Sequence, residues 1–163
     1  MKLFTLLATL VITITGCNCQ KKKLENANFA PPEVVETRVS NMQTEVPTMY
    51  YEANTRGFFM ALKVENKTLY ISRDRDFKEY SDKKTISDKD WTEISALAKA
   101  VDLEKVKDLK WPTEKRYYDG AAHANIIFES KGVKYPANGF DHGFPPVEIE
   151  TLVNKITKLA EQE

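Results

Sequence analysis

The chain has 163 residues, of which 42% are hydrophobic and 29% charged, and its 24 Lys and Arg residues balance its 24 Asp and Glu residues. This length fits one domain of ordinary size, and the balanced charge provides no field that would gather nucleic acid. With only two cysteines and a single long apolar run near the N-terminus, the composition excludes a disulfide-stapled small domain and a polytopic membrane protein.

The first 16 residues have the pattern of a secretion signal peptide. Met1 and Lys2 give a basic start, residues 3–14 are apolar, and Thr15-Gly16 supplies a small-residue cleavage site. An apolar run of about 12 residues rises only about 18 Å as a helix, whereas the hydrocarbon core of a bilayer is roughly 30 Å thick. A permanent transmembrane helix is therefore the weaker interpretation.

The end of this segment, Ile14-Thr15-Gly16-Cys17, resembles the lipobox of bacterial lipoproteins. The resemblance implies cleavage after Gly16 and a diacylglycerol on the Cys17 thiol, so that the mature chain is anchored to a membrane by its lipid. Two or three acyl chains give stable anchoring. The alternative is an ordinary signal peptide followed by a chance cysteine.

Residues 17–40 are predicted to form a lipidated, flexible tether ahead of a single globular domain over residues 41–163, because they are polar and lack a sustained period. Cys19 would be the only thiol left after lipidation, and we interpret it as inert, with pairing to another chain as the alternative. In lipoproteins of this kind, an acidic run after the lipidated cysteine tends to mark transport to the cell surface. Here three lysines follow at 21–23, which implies a domain facing the periplasm. We expect the anchor to lie in the outer rather than the inner membrane.

Alternation of apolar and polar residues predicts about four strands. Residues 58–71 predict a hairpin that turns at Asn66-Lys67, and residues 123–129 predict a third strand that turns at Lys131-Gly132 into a fourth at 133–136. A further short strand near residues 49–51 is possible, while the rest of 34–55 is ambiguous.

Three segments have helical spacing. Ser87 is a potential N-cap for a helix that ends near Val101, and Asp102 could cap a short second helix to about Leu109. A third helix follows the proline pair 145–146. The order ββ-αα-ββ-α predicts an α+β domain, an antiparallel sheet with helices on one face. Trp91 and Trp111 could line a ligand cleft, but we expect both in the core.

Both histidines lie in compact polar segments, 119–123 and 139–143. If the last hairpin turns at Lys131-Gly132, paired residue numbers sum to about 263, which places Ala122 near Asp141 and His123 near Phe140, within two residues. Two imidazoles and two carboxylates would then meet at one end of the sheet. They are a sufficient ligand set for Zn²⁺ or another divalent ion: Asp119, His123, Asp141 and His142.

The same aspartates and glycines are also what tight turns require, so these residues could simply organise turns and the start of the last helix. The sequence contains no nucleophile elbow, P-loop or dinucleotide-binding fingerprint. We therefore assign no catalytic residue. The adjacent Tyr117 and Tyr118 could form an aromatic surface for a partner, or one of them could be buried.

The whole chain resembles the small uncharacterised lipoproteins of Bacteroidota bacteria, through the lipobox at Cys17, the Asp90-Trp91 helix start and the run Gly-Phe-Asp-His-Gly-Phe-Pro-Pro at 139–146. That group has no agreed activity. Two hypotheses follow. The first is a non-catalytic, membrane-tethered binding module, such as an envelope accessory or an inhibitor or immunity-type protein, with a protein partner and no cofactor. The second is a metal-binding protein or metal-dependent enzyme that uses the four ligands above.

Overall fold

The structure is a computed structural model of the chain, and it describes residues 45–76 and 79–162. The predicted signal peptide, the lipidation site Cys17 and the predicted tether lie outside the described residues. The described part belongs to one compact unit. Within these residues, no helix is both long and apolar enough to cross a membrane.

The described residues form seven strands, two α-helices and two short 3-10 helices. Four strands come first: β1 (Thr48–Thr55), β2 (Phe58–Glu65), β3 (Thr68–Ser72) and β4 (Asp82–Thr85). Helix α1 (Asp88–Ala100) and two 3-10 helices follow, Leu103–Asp108 and Lys115–Tyr118. The chain then forms β5 (His123–Ser130), β6 (Val133–Pro136), β7 (Phe140–Asp141) and α2 (Glu150–Glu161).

The strands form one antiparallel sheet in the order β4-β3-β2-β1-β5-β6. Strand β7 also pairs with β5, so β6 and β7 lie along the two halves of the same edge. The last hairpin has the predicted register, because Ser130 pairs with Val133. Further along, His123 pairs with Asp141, within the predicted tolerance.

Two hairpin turns have backbone conformations that suit tight connections. Asn66 and Lys67 have φ values of 46° and 64°, and Lys131 and Gly132 have 53° and 78°. Consecutive positive φ values match the right-handed twist of the flanking strands in two-residue hairpins. Both turns lie where the sequence predicted them.

The sheet has two distinct faces. Its inner face carries the apolar side chains that pack against α1 and α2, including Tyr51, Leu62 and Ile126, which are aligned across β1, β2 and β5. The helices contribute buried residues to the same core: Ile94, Ala98, Leu152, Val153 and Ile156. The outer face carries Tyr50, Glu52 and Asn54 on β1, opposite Ile127, Asn125 and His123 on β5.

The predicted capping of α1 is confirmed. Ser87 has extended backbone angles, and its Oγ accepts a hydrogen bond of 3.1 Å from the N–H of Asp90. A capping oxygen of this kind satisfies one of the N–H groups that have no partner in the first turn of a helix.

The α+β class and the antiparallel sheet are confirmed, but the predicted number of about four strands is wrong. Strand β1 is a central strand of eight residues rather than a short one. Strand β4 has a charged sequence without apolar alternation, and β7 has only two residues, so neither produces a periodic signal. The predicted second helix is a 3-10 helix.

Candidate functional site

The most constrained polar group in the described residues is the carboxylate of Asp141 in β7. Because Asp141 pairs with His123, its side chain lies on the outer face of the sheet, and it is fully buried there. Its Oδ1 accepts hydrogen bonds of 3.0 Å from Nη1 of Arg116 and 3.0 Å from the Arg116 backbone N–H. Its Oδ2 accepts from the Lys115 N–H at 2.6 Å and from the Thr113 hydroxyl.

These four bonds attach the 3-10 helix Lys115–Tyr118 to the edge of the sheet. Two of them satisfy N–H groups at the start of that helix, in the way that an N-cap residue does, although the cap comes from a strand 25 residues later. At the other end, Asp119 adopts a left-handed conformation with φ of 59°, and the N–H of Gly120 donates to the Lys115 carbonyl at 2.9 Å. The segment is thus fixed at both ends.

The Asp141–Arg116 ion pair is almost completely excluded from solvent, with side-chain exposures of 0% and 2%. Burial acts to raise the pKa of the Asp141 carboxyl, but the hydrogen bonds from Thr113, Arg116 and two backbone amides outweigh it and lower that pKa to about 2. The carboxylate is therefore ionised at neutral pH, and its oxygens are occupied by donors. We assign it a structural role.

Four exposed aromatic side chains surround this ion pair, and we call them the aromatic patch: Trp111 (38% exposed), Tyr117 (64%), Tyr118 (70%) and Phe144 (38%). The Cζ of Arg116 lies 5.0 Å from the ring centroid of Trp111 and 4.4 Å from that of Tyr117. Its Nη2 also donates to the Tyr117 hydroxyl at 3.0 Å. Arg116 therefore orients the rings of Trp111 and Tyr117 through cation–π contacts and its hydrogen bond to the Tyr117 hydroxyl.

The other two rings are held by neighbours of the same segment. The Nζ of Lys115 lies 3.7 Å from the ring centroid of Phe144. The ring of Tyr118 lies so close to Gly120 that a Cβ at this glycine would be 2.8 Å from Tyr118 Cε2. The aromatic patch is consequently a set of oriented rings rather than four independent side chains.

The structure places both predicted partner-binding residues, Tyr117 and Tyr118, at the surface, so neither belongs to the core. The expectation that both tryptophans are core residues is right only for Trp91, which is half-buried against the core, and wrong for Trp111. Trp111 is instead exposed beside Arg116, and its Nε1 donates to Glu114 at 3.4 Å.

His142 lies on the opposite side of the strand from Asp141. Its Nδ1 is 2.7 Å from the hydroxyl of Tyr51, and its ring is 5.1 Å from that of Phe58. Burial lowers the pKa of His142 although the Glu161 carboxylate opposes it, and burial raises the pKa of the Tyr51 hydroxyl. Near neutral pH the phenol therefore keeps its proton and can donate it in a hydrogen bond to an uncharged imidazole.

The four predicted metal ligands do not converge on one point. The His142 ring contacts Tyr51 and Phe58, whereas the Asp141 carboxylate lies on the outer face, so the two groups do not face a common site. Asp119 and His123 are exposed, whereas Asp141 is enclosed by donors. Within the described ranges, no group of three or more His, Cys, Asp or Glu side chains is arranged to hold a metal ion. A divalent metal in this protein stays a prediction from the sequence.

Sequence reasoning missed Thr113, Arg116 and Phe144. The predicted register already brought Asp141 close to Ala122. Thr113 and Arg116 precede Ala122 by only nine and six residues in the sequence. A buried basic partner for Asp141 could thus have been sought there. No local pattern, however, shows that the segment folds back over the outer face.

No family model, curated protein or solved structure gives a significant match to the chain. The functional argument therefore depends on the residues themselves.

Asp141→Asn is expected to lower the free energy of unfolding by about 3–5 kcal/mol at about pH 7, because it leaves the buried Arg116 guanidinium without its counter-charge. The contribution of Asp141 is present above its unfolded-state pKa of 3.8 and is lost as the pH falls through about 2. The difference between the wild type and the variant, measured by urea unfolding, should therefore shrink from about pH 4 to about pH 2.

The matched control is Asp119→Asn, because residue 119 is exposed and asparagine also tolerates the left-handed conformation. This control should unfold like the wild type. Equal stability of Asp141→Asn and Asp119→Asn at neutral pH would contradict the structural role of Asp141.

Proposed function

We propose that the protein is a membrane-tethered bacterial lipoprotein whose domain faces the periplasm and acts as a non-catalytic binding module. The lipobox resemblance of residues 14–17 supports anchoring through a lipid on Cys17, and we favour the outer membrane. The aromatic patch supports binding, and its partner is a protein of the cell envelope. Such a module would serve as an envelope accessory or as an inhibitor or immunity-type protein.

The observation that carries this proposal is the exposure of oriented aromatic rings around a buried arginine. Trp, Tyr and Arg are the residues that most often dominate the binding energy of protein interfaces. Leaving Tyr117 and Tyr118 about two thirds exposed keeps apolar area in contact with water, and burial against a partner would recover its hydrophobic free energy. Because neighbouring groups already orient the rings, little conformational entropy would be lost on binding.

The direction of β1 is consistent with a tethered binding module. The described chain begins at residue 45, and β1 starts at Thr48, beside Glu129 at the far end of β5. The Asp141 end lies beside Asn54 and His123, close to the other end of β1. Eight residues of strand span about 25 Å. The aromatic patch therefore lies at the opposite end of β1 from Thr48.

The lipid anchor is tested by feeding cells an alkyne fatty acid and measuring its incorporation into the purified chain. Wild type and Cys19→Ser should be labelled equally, whereas Cys17→Ser should carry no label, because only the cysteine of a lipobox is modified. Label on Cys17→Ser, or an unlabelled wild type, would overturn the proposed anchor.

The binding role is tested by crosslinking in intact host cells that produce the full-length chain. The double variant Tyr117→Ala with Tyr118→Ala should recover its crosslinked partner at least about tenfold less efficiently than the wild type, as expected for the loss of hot-spot side chains. Both residues are exposed, so the fold should persist, and an unchanged melting temperature verifies this.

The control for this experiment is Val133→Ala, which removes an exposed apolar side chain (52% exposed) from the β6 edge. Wild type and this control should capture the same protein. The same capture by all three chains would show that the aromatic patch is not the binding surface, and the absence of any specific crosslink would contradict the binding module itself.

A further inference from the structure

The outer face of the sheet also carries a cleft that is separate from the aromatic patch. Its volume is about 200 Å³. The lining consists of three tyrosines, three other polar or charged residues and two apolar residues: Tyr50, Tyr51, Tyr80, Glu52, Asn125, Lys134, Ala61 and Ile127. The Tyr51 ring itself packs in the core on the inner face, so Tyr50 and Tyr80 supply the rings of the cleft.

The rings of Tyr50 and Tyr80 form two walls of the cleft, and each ring contacts neighbouring side chains. The Nζ atoms of Lys63 and Lys134 lie 5.8 and 5.6 Å from the ring centroid of Tyr50. Tyr80 packs against Tyr70, with ring centroids 6.1 Å apart. The rings therefore form walls whose orientation is set before any ligand binds.

The polar groups of the cleft are of mixed type. Glu52 supplies carboxylate oxygens, one of which accepts a hydrogen bond of 2.9 Å from Asn54. The exposed Asn125 side chain can both donate and accept, and Lys134 donates. One carboxylate and one ammonium group leave the lining without net charge, so the cleft has no preference for an ionic ligand.

A peptide strand has no backbone to pair with in this cleft. Strands β1, β2 and β5 line it, and each lies inside the sheet with a neighbour on both sides. Lys134 adds a side chain from the edge strand β6, but the cleft lies on the side of β6 that is already paired with β5. Strand addition requires unpaired N–H and C=O groups at a sheet edge. The ligand must therefore be recognised by side chains.

From these features we propose that the cleft binds one neutral pyranose ring of a glycan. A pyranose presents an apolar C–H face, which stacks on an aromatic ring, and hydroxyl groups that both donate and accept hydrogen bonds. Tyr50 and Tyr80 match the first feature, and the Glu52, Asn125 and Lys134 side chains match the second. The volume of the cleft suits one sugar ring. This inference is independent of the lipid anchor and of the aromatic patch.

Saturation-transfer difference NMR tests the proposal with the full-length chain in a zwitterionic detergent. The probes are the trisaccharides of N-acetylglucosamine, β-linked glucose and α-linked glucose, each at millimolar concentration. At least one of these trisaccharides should show saturation transfer from the protein, and the transfer should be strongest at the C–H protons on one face of a sugar ring. Tyr50→Ala and Asn125→Ala should each reduce this transfer at least about fivefold, whereas Tyr50→Phe, which keeps the ring, should retain most of it.

Asn125 is exposed, so its variant should fold even if the half-buried Tyr50 proves important for stability. The matched control is Tyr117→Ala in the aromatic patch, which should leave the transfer unchanged. No transfer to any of the three sugars would overturn the proposal. So would transfer that survives both Tyr50→Ala and Asn125→Ala, or transfer that is lost instead in Tyr117→Ala, which would move glycan binding to the aromatic patch.

Discussion

The organisation of the aromatic patch depends on the buried carboxylate of Asp141. A charged side chain that is buried away from water is tolerated only when it is paired with an opposite charge and hydrogen-bonded. Here the required donors come from one segment, because Thr113, the Lys115 and Arg116 amides and the Arg116 guanidinium all bind the same side chain. The hydrogen bonds to this one carboxylate thus fix the four-residue stretch 113–116 against the sheet edge.

The aromatic patch follows from that constraint. Once Arg116 is bound to Asp141, its guanidinium provides a fixed base for the rings of Trp111 and Tyr117. A buried ion pair contributes little net stability compared with apolar packing, but it specifies a geometry, and removal of one partner is costly. The pair is therefore better understood as the group that positions a surface than as a source of stability. The inner face of the sheet supplies stability through its apolar core.

The features that depend only on neighbouring residues could be predicted from the sequence. The α1 cap at Ser87 and the Lys131-Gly132 turn were found because capping and turn chemistry are local. The register that placed Asp141 near His123 also followed from the turn. Strand β4 could not be predicted, since its charged residues lie at an exposed edge and need no apolar face.

The candidate site was predicted only in part, for a related reason. The position of Asp141 was predicted, but the sequence grouped it with Asp119 and the two histidines as metal ligands and did not identify Arg116 as its partner. The separation of Asp141 from His142 was not predicted, because residues 139–143 were interpreted as a compact polar segment and not as a strand. The burial of Arg116 was not available from the sequence either, because it results from a segment without periodicity folding over the sheet, where long-range electrostatics rather than a hydrophobic pattern determine the contact.

Amide hydrogen exchange at Lys115 and Arg116, followed by NMR in the wild type and in Asp141→Asn, is the most direct test of this account. If the Asp141 carboxylate fixes the segment, both amides are protected in the wild type, and in the variant they exchange at least about a hundredfold faster than the α2 amides do, a ratio equal to nearly 3 kcal/mol. Amides of α2 should change only as much as global stability does. Equal protection of the Lys115 and Arg116 amides in the two proteins would show that the segment, and the aromatic patch with it, is held by something other than Asp141.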